Sequence, residues 1–438
     1  MTKTFSRATV LFVSVVACGM AAAPAAAQSG FGSWLGGNRN AAPAQPVGVA
    51  QAFDTGAAEW SDRFDPASAS TYATADARQP TLSPRTAGSI QQAILNYRQI
   101  AYNGGWGRVP GDQVLRVGVK SPNVAALRQR LIGSGDLHAS AGLADTFDSY
   151  VDAAVKRFQK RHGLLADGIV GGSTLEAMNV SVEERIQQLE MNLVRVHSMG
   201  GDLGERYVLV NIPAAEVEAV ENGYVAGRYT AVVGKPDRAS PILTDQIDYI
   251  SFNPFWTVPK SIIRKDIIPQ MQKDPEYLTN YRIRIYDGRG NEIDPKSVDW
   301  YSDEAVAYML RQDPGDFNSL GSIRINFPNE HSVYLHDTPQ TSLFGTNDRF
   351  HSSGCVRVQN VRHLVSWLLA PNGEDWSRNR IDGAVRSGEY ADVTLKYRTP
   401  IYFSYITAWA DDSGTVQFRP DIYDRDGNQS ATVATTNG

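Results

Sequence analysis

Apolar side chains recur along this chain with two different periods, and each change of period marks where one kind of element gives way to another. From Gln28 to about Arg85 there is no sustained period; Ala, Gly, Ser, Pro and Asn dominate, as in a flexible linker. Order is expected to begin near Ser89, where Ile90, Ile94, Tyr97 and Ile100-Ala101 keep helical spacing until Asn103-Gly104-Gly105 breaks it. A compact unit follows from about Val114 to Val180. Its first helix carries Val124, Leu127 and Leu131 on one face, and its second, Asp148 to Gly163, turns Val151, Ala154, Val155 and Phe158 inward. Asp167-Gly168-Ile169-Val170-Gly171 is a turn, and Ser173 or Thr174 is placed to cap a third short helix ending near Met178. Ser181 with Glu184 forms a capping box, opening a long helix striped by Ile186, Leu189, Leu193 and Val196 and ended by Gly200-Gly201. The two long helices are expected to pack together, with the compact unit inserted between them.

From Arg206 the period falls to two. Tyr207–Ile212, Glu216–Val220, Gly227–Gly234 and Ile247–Phe252 read as strands, with Glu221-Asn222-Gly223 as a hairpin turn. Ser261 to about Leu320 reads as helical, irregular and charged, an insertion that caps something. Strands resume at Ile323–Phe327 and Ser332–His336. Val356 to Leu369 reads as a helix with Val361, Leu364, Val365 and Leu368 apolar, and Val393–Tyr397 and Ile401–Tyr405 read as closing strands. The fold class is therefore α+β and multidomain. Its expected divisions are a linker at 28–85, scaffold helices at 86–113 and 181–205, a small module at 114–180, a mainly-β domain at 206–385 with a cap at 261–320, strands at 386–428, and a frayed tail at 429–438.

Composition adds three constraints. With 438 residues the chain is long enough for two or three cores. Its formal net charge of −5 argues against a nucleic-acid partner, which calls for a basic surface. It holds only two cysteines, Cys18 and Cys355, too few for a disulfide scaffold or a four-thiolate zinc site. The first of these falls in an export signal: Lys3 and Arg7, an apolar run from Ala8 to Cys18, and Ala25-Ala26-Ala27 before Gln28, giving a signal peptide over 1–27 and a periplasmic address. Val15-Val16-Ala17-Cys18 also resembles a lipobox, the alternative route, which would acylate Cys18. By either route Cys355 is the one thiol of the mature chain, and without a partner it is either inert or used.

The surroundings of Cys355 favour use. It lies in His351-Ser352-Ser353-Gly354-Cys355-Val356-Arg357, ahead of the expected helix, whose N-terminus would stabilise a thiolate. Gly354 allows close backbone approach, and the Gly354 and Cys355 N–H groups are natural oxyanion donors. A thiol nucleophile needs an imidazole from a neighbouring element, and His336, ending a strand in Tyr334-Leu335-His336-Asp337-Thr338, is so placed. His351 is a rival base, with His331 and His363 weaker; Ser352 and Ser353 lack the G-x-S-x-G frame of a serine nucleophile. The seven His do not cluster with ligand spacing, so no metal is expected. Asp424–Asn428 lacks the Gly and Glu of a calcium loop, and Asp287–Asn291 is a hairpin turn.

Two resemblances follow. Val124/Leu127/Leu131, Ala154–Gln159 and Gly163-Leu164 with Asp167–Gly171 are similar to the type 1 peptidoglycan-binding module. Tyr334–Thr338 and Ser352–Arg357, with Asn253–Pro259 and Gly104–Pro110 upstream, resemble the large periplasmic branch of the YkuD-type L,D-transpeptidases. That branch combines a helical scaffold, the binding module and an inserted cap. In this sequence Ser353 stands where the family commonly has His, and Asp337 where it commonly has Gly. The resemblance implies Cys355 as nucleophile and His336 as base. It also implies an Asp337 carbonyl holding the imidazole, Gly354 and Ser353 at the oxyanion side, Arg357 either on the substrate carboxylate or bracing the loop, and Tyr334 and Trp256 lining the cleft. No cofactor is implied. The implied partners are peptidoglycan stem peptides, as tetrapeptide donor and amine acceptor, and carbapenem inhibitors. The implied reaction is a 3→3 cross-link with release of D-alanine. Hydrolysis at the same site and a non-catalytic wall-binding role are the alternatives.

Overall fold

The computed structural model describes residues 78–199, 203–373 and 376–427. The signal peptide, Cys18, most of the linker, the Gly200-Gly201 helix stop and the C-terminal tail lie outside those residues. Helices α1 (Thr86–Tyr102), α2 (Pro122–Gly133), α3 (Ser149–Arg161), α4 (Gly172–Met178) and α5 (Val182–Ser198) come first. Their spacing decides their packing. Val124, Leu127 and Leu131 of α2 meet Val151, Val155 and Phe158 of α3 in one closed core with Met178. Each such side chain contributes roughly 1.5–3 kcal/mol by leaving water. α2 and α3 are capped by Ser121 and Asp148. The cap expected from Ser173 or Thr174 does not form: Gly171 is the N-cap, and Thr174 Oγ1 instead accepts from Gln159 Nε2 at 3.1 Å.

The capping box at Ser181/Glu184 opens α5, which packs on α1. Ile90, Ile94, Tyr97, Leu189 and Val196 share a core with Tyr207, Leu209 and Val220, so the helix pair covers the outer face of the sheet that follows.

That sheet has nine strands: β1 (Arg206–Asn211), β2 (Glu216–Glu221), β3 (Tyr224–Gly234), β4 (Leu243–Phe252), β9 (Ile323–Asn326), β10 (Leu335–His336), β11 (Phe350–Ser352), β12 (Val356–Val358) and β13 (Ala391–Ser404). Their order is β11-β3-β12-β10-β9-β4-β13-β1-β2, and a β2–β3 pairing brings the sheet back on itself. Its inner face packs Val210, Ile250, Ile325, Leu335, Val356 and Phe403 against helix α6 (Val361–Leu369). Helix α7 (Arg378–Arg386) follows α6 in the chain, and a hairpin of β14 (Ala408–Ala410) and β15 (Val416–Phe418) lies against the scaffold helices.

Three readings change. Val356–Val358 is strand, not helix, because it fills the sheet between β3 and β10; the helix starts only at Val361. The two closing strands are one long β13 with an irregularity between Thr394 and Thr399. The insertion is not only helical: β5 (Trp256–Thr257), β6 (Ile283–Tyr286), β7 (Glu292–Ile293) and β8 (Met309–Gln312) form a small sheet of their own. Trp256, Ile267, Leu278, Ile285 and Leu310 give it a separate core. Short strands separated by Asp- and Gly-rich turns carry too little period to be told from loop.

Candidate active site

The site is built by register. β10 runs antiparallel to β9 and parallel to β12, so Arg324, His336 and Arg357 stand side by side across three strands. Ser251 of β4 and Asp392 of β13 continue the same row. The intervening positions, Ile250, Ile325, Leu335 and Val356, fill the inner core, so the row faces the opposite way. The next row on that face brings Tyr334 beside Cys355, Tyr334 O accepting from Val356 N–H at 3.0 Å. Cys355 and His336 are thus diagonal neighbours across β12 and β10, a spacing of about 7–8 Å at the backbone in a regular sheet.

The imidazole is fixed. His336 is buried, and its Nδ1 lies 2.6 Å from the Asp337 carbonyl oxygen. A carbonyl only accepts, so Nδ1 carries the proton and Nε2 keeps its lone pair. The Asp337 carboxylate holds the loop, accepting from Ser322 Oγ at 2.7 Å and from the Thr338 N–H at 2.8 Å. Burial, with Arg357 and Arg324 adding to it, pushes His336 down to about 3. Cys355 is part-exposed as a residue, yet burial of its sulfur pushes the thiol up to about 11, against the opposing hydrogen bonds of Tyr334 and the charge of Arg357. The resting pair is therefore neutral thiol and neutral imidazole. The helix-stabilised thiolate expected from the sequence is replaced by a thiol on a strand-loop junction.

The turn before the thiol is braced from below. Ser352 Oγ donates to the Cys355 carbonyl at 2.5 Å and accepts from the Gly354 N–H at 3.1 Å. That N–H is therefore engaged, and of the two expected donors the Cys355 N–H is the one with no partner among the described residues. Gly354 has φ +113, a conformation closed to most side chains. Ser240 Oγ donates to the Gly354 carbonyl at 2.8 Å. Ser353 turns to the cap instead of the reaction centre: its Oγ accepts from Arg238 Nη1 at 3.0 Å, and Arg238 pairs with Asp266 of the insertion, Nη2 to Oδ1 at 2.9 Å.

The remaining candidates sort by their partners. Arg357 is buried, held down to about 10 by burial, and donates to Gln340 Oε1 at 2.7 Å. Trp256 is buried and hydrogen-bonds the Tyr334 hydroxyl, and the Tyr334 ring stands edge-on to His336 at 5.7 Å. His351 is tied to Asp348, His363 to the Tyr229 hydroxyl at 2.7 Å, and His331 lies by Glu330, so none of the three competes with His336. Sequence reasoning missed Arg324, Ser240, Arg238 and Gly321. Arg324 was accessible to it: in Ile323-Arg324-Ile325-Asn326 the alternation puts Arg324 on the face of His336.

Residues 205–402 match the family model described as "L,D-transpeptidase catalytic domain" (YkuD). That stretch is a YkuD-type L,D-transpeptidase catalytic domain. Residues 120–178 match the model described as "Putative peptidoglycan binding domain". A curated protein of Haemophilus influenzae named "Putative L,D-transpeptidase" is 34% identical over 220 residues, half of this chain and 44% of that protein, so the alignment spans less than half the relative's length. Among solved structures, an L,D-transpeptidase from Xylanimonas cellulosilytica aligns at 15% identity over 67% of this chain and 99% of that one, with a TM-score of 0.23. One from Stackebrandtia nassauensis aligns at 13% over 67% and 96%, with a TM-score of 0.26. In the L,D-transpeptidase domain of this chain, the cap is the 256–320 insertion and the scaffold helices lie outside the matched range.

Proposed function

We propose that this chain is an exported peptidoglycan L,D-transpeptidase that forms 3→3 cross-links. The observation that carries the proposal is the shared face of Cys355 and His336, with Nδ1 tied to the Asp337 carbonyl so that Nε2 is the base. Cys355 Sγ attacks the carbonyl that precedes the terminal D-alanine of a tetrapeptide stem, and Nε2 takes the thiol proton. The Cys355 N–H stabilises the tetrahedral oxyanion. Collapse breaks the amide, the imidazolium returns its proton to the leaving amine, and D-alanine departs from a thioester. The side-chain amine of a second stem attacks that thioester, Nε2 takes the amine proton, and collapse releases Cys355 as thiol with a new amide. Starting from a neutral pair suits this sequence, because thiol and imidazole exchange one proton and return it. Gly354 and Ser353 shape the turn, Tyr334 and Trp256 wall the cleft, and Arg357 faces the substrate carboxylate. A carbapenem would acylate the same sulfur. The export signal read over 1–27 supports a periplasmic reaction, and in this reading the 120–178 module holds the enzyme on its polymer.

Purified protein incubated with tetrapeptide muropeptides and analysed by mass spectrometry tests this. Dimers formed with loss of one D-alanine are expected. Tripeptide alone would mean that water is the acceptor, and an unchanged substrate pool would reject both.

A further inference from the structure

The positive charge at the reaction centre continues beyond the residues that the proposed reaction uses. Arg324 lies beside His336 in the cross-sheet row, with its guanidinium 5.5 Å from the Tyr334 ring centroid. Its charge acts on His336 and Cys355 on one side and on Tyr390 on the other. Tyr390 borders a second cleft of about 520 Å³, between the base of the cap and the end of β13. Phe255 and Tyr286 face the guanidinium of Arg311 there, at 4.6 and 4.9 Å from their ring centroids. Arg282 stands at the rim. Arg284 is matched by Asp313 at 3.0 Å and Glu292 at 3.3 Å, but Arg282, Arg311 and Arg324 have no ion pair among the described residues. The Nε atoms of Arg311 and Arg324 are buried with no hydrogen-bond partner. In a chain of net charge −5, guanidiniums without an ion pair, two of them lining a cleft that also holds the Arg284–Asp313 pair, are a local excess that a ligand of opposite charge would offset.

We infer that this cleft, lined by Phe255, Tyr286, Tyr390 and Arg311, with Asp313 held by Arg284, is a subsite for the free carboxylates of a stem peptide. The inference rests on the transpeptidase reading for the identity of the ligand. The chemistry fits in two ways. A guanidinium held between aromatic faces is pre-oriented and presents its edge for a two-pronged hydrogen bond to a carboxylate. The rings of Phe255 and Tyr286 also offer apolar contact to the aliphatic part of the ligand.

The test uses a synthetic stem peptide with free carboxylates and the same peptide with its side carboxylates amidated. Binding of each to the full chain carrying Cys355→Ala is measured by calorimetry. The free form is expected to bind about tenfold more tightly, as a charged hydrogen bond implies. Adding Arg311→Gln should remove that preference, and Arg311→Lys should restore part of it; a merely structural role for Arg311 would not distinguish the two peptides. If Arg311→Gln does not fold, Arg282→Gln at the exposed rim is expected to cut the preference about threefold. With Cys355 present, slower thioester formation in Arg311→Gln assigns the carboxylate to the donor stem. Normal thioester formation with slower transfer to an added amine assigns it to the acceptor. A preference for the free peptide that survives Arg311→Gln, or that Arg282→Gln leaves undiminished, overturns the subsite. Absence of thioester in the unaltered protein would instead reject the transpeptidase reading, while the binding comparison remains readable.

Discussion

At the scale of single residues, the proposed reaction rests on two groups whose environments move them in opposite directions. His336 is pushed down to about 3 and Cys355 up to about 11. Between those values both are neutral, which is the form that the proposed proton transfer needs. The rate of thioester formation should therefore be nearly flat from about pH 5 to 9, with no inflection near the ordinary histidine value of 6.5. A stopped-flow pH profile with a carbapenem as acylating agent checks this; a bell centred on 6.5 would mean an imidazolium–thiolate pair. Gly321 offers a second residue-scale prediction. It has φ +59, and a Cβ there would lie 2.7 Å from Asp337 Cβ and 2.9 Å from the Asp337 carbonyl carbon. Gly321→Ala should displace the carbonyl that fixes the imidazole and lower kcat about tenfold or more, with substrate binding little changed. Steady-state kinetics separating kcat from KM decides it. That Cys355, His336 and the Asp337 carbonyl would be gathered in one place was readable through the resemblance carried by Tyr334–Thr338 and Ser352–Arg357, because short motifs carry their chemistry locally. The brace from Ser240 and the Arg238–Ser353 contact were not, since they join segments over a hundred residues apart in the chain.

At the scale of elements, the contact between cap and nucleophile turn runs through one guanidinium. Arg238 follows β3, reaches Ser353 on one side and is paired with Asp266 on the other, both side chains largely buried. Asp266→Ala would leave that guanidinium without its carboxylate, costing about 1–3 kcal/mol locally. Alkylation of Cys355 by iodoacetamide should then speed up severalfold as the cap loosens; an unchanged rate would mean that the cap is held by its apolar core alone. The period-two and helical stripes located nearly every long element: α1–α5 each bury one stripe, and β1 and β2 alternate between two cores, one on each face. The segment after Cys355 was misread as helix. Val356, Val358, Val361, Leu364 and Val365 are all apolar, and in a fully buried run strand and helix periods look alike. The insertion was misread for the opposite reason, its strands being two to four residues long.

At the scale of the whole molecule, the binding module docks on the body through a stack of rings. His162 lies between Phe158, at 3.8 Å, and Phe418 of β15, at 5.5 Å, among the cations Arg161, Arg185 and Arg130. Burial first, then those arginines, hold it well below 6.5. Unfolded, it takes a proton as pH falls through 6.5; folded, it does not. The stability from keeping it neutral is complete above 6.5 and is lost as pH drops below it, by up to about 1.4 kcal/mol per pH unit for each such histidine. His336 contributes in the same direction. His162→Phe, which keeps the ring stack, should flatten the acid slope of the melting temperature between pH 6.5 and 4.5; an unchanged slope would place the acid sensitivity elsewhere. The packing of α1 on α5, expected from their stripes, puts the module's two ends on one helix pair, and Arg161 and Arg419 close its far side against β15.

The central claim is that Cys355 is acylated by a stem peptide as D-alanine leaves. Intact-mass spectrometry of the protein after brief exposure to a tetrapeptide stem, with no acceptor amine and with peptide mapping, tests it most directly. The account predicts a tripeptidyl adduct on the peptide containing Cys355, one D-alanine released per adduct, and no adduct in Cys355→Ala. An unmodified protein with D-alanine still released, or an adduct that survives Cys355→Ala, would contradict it.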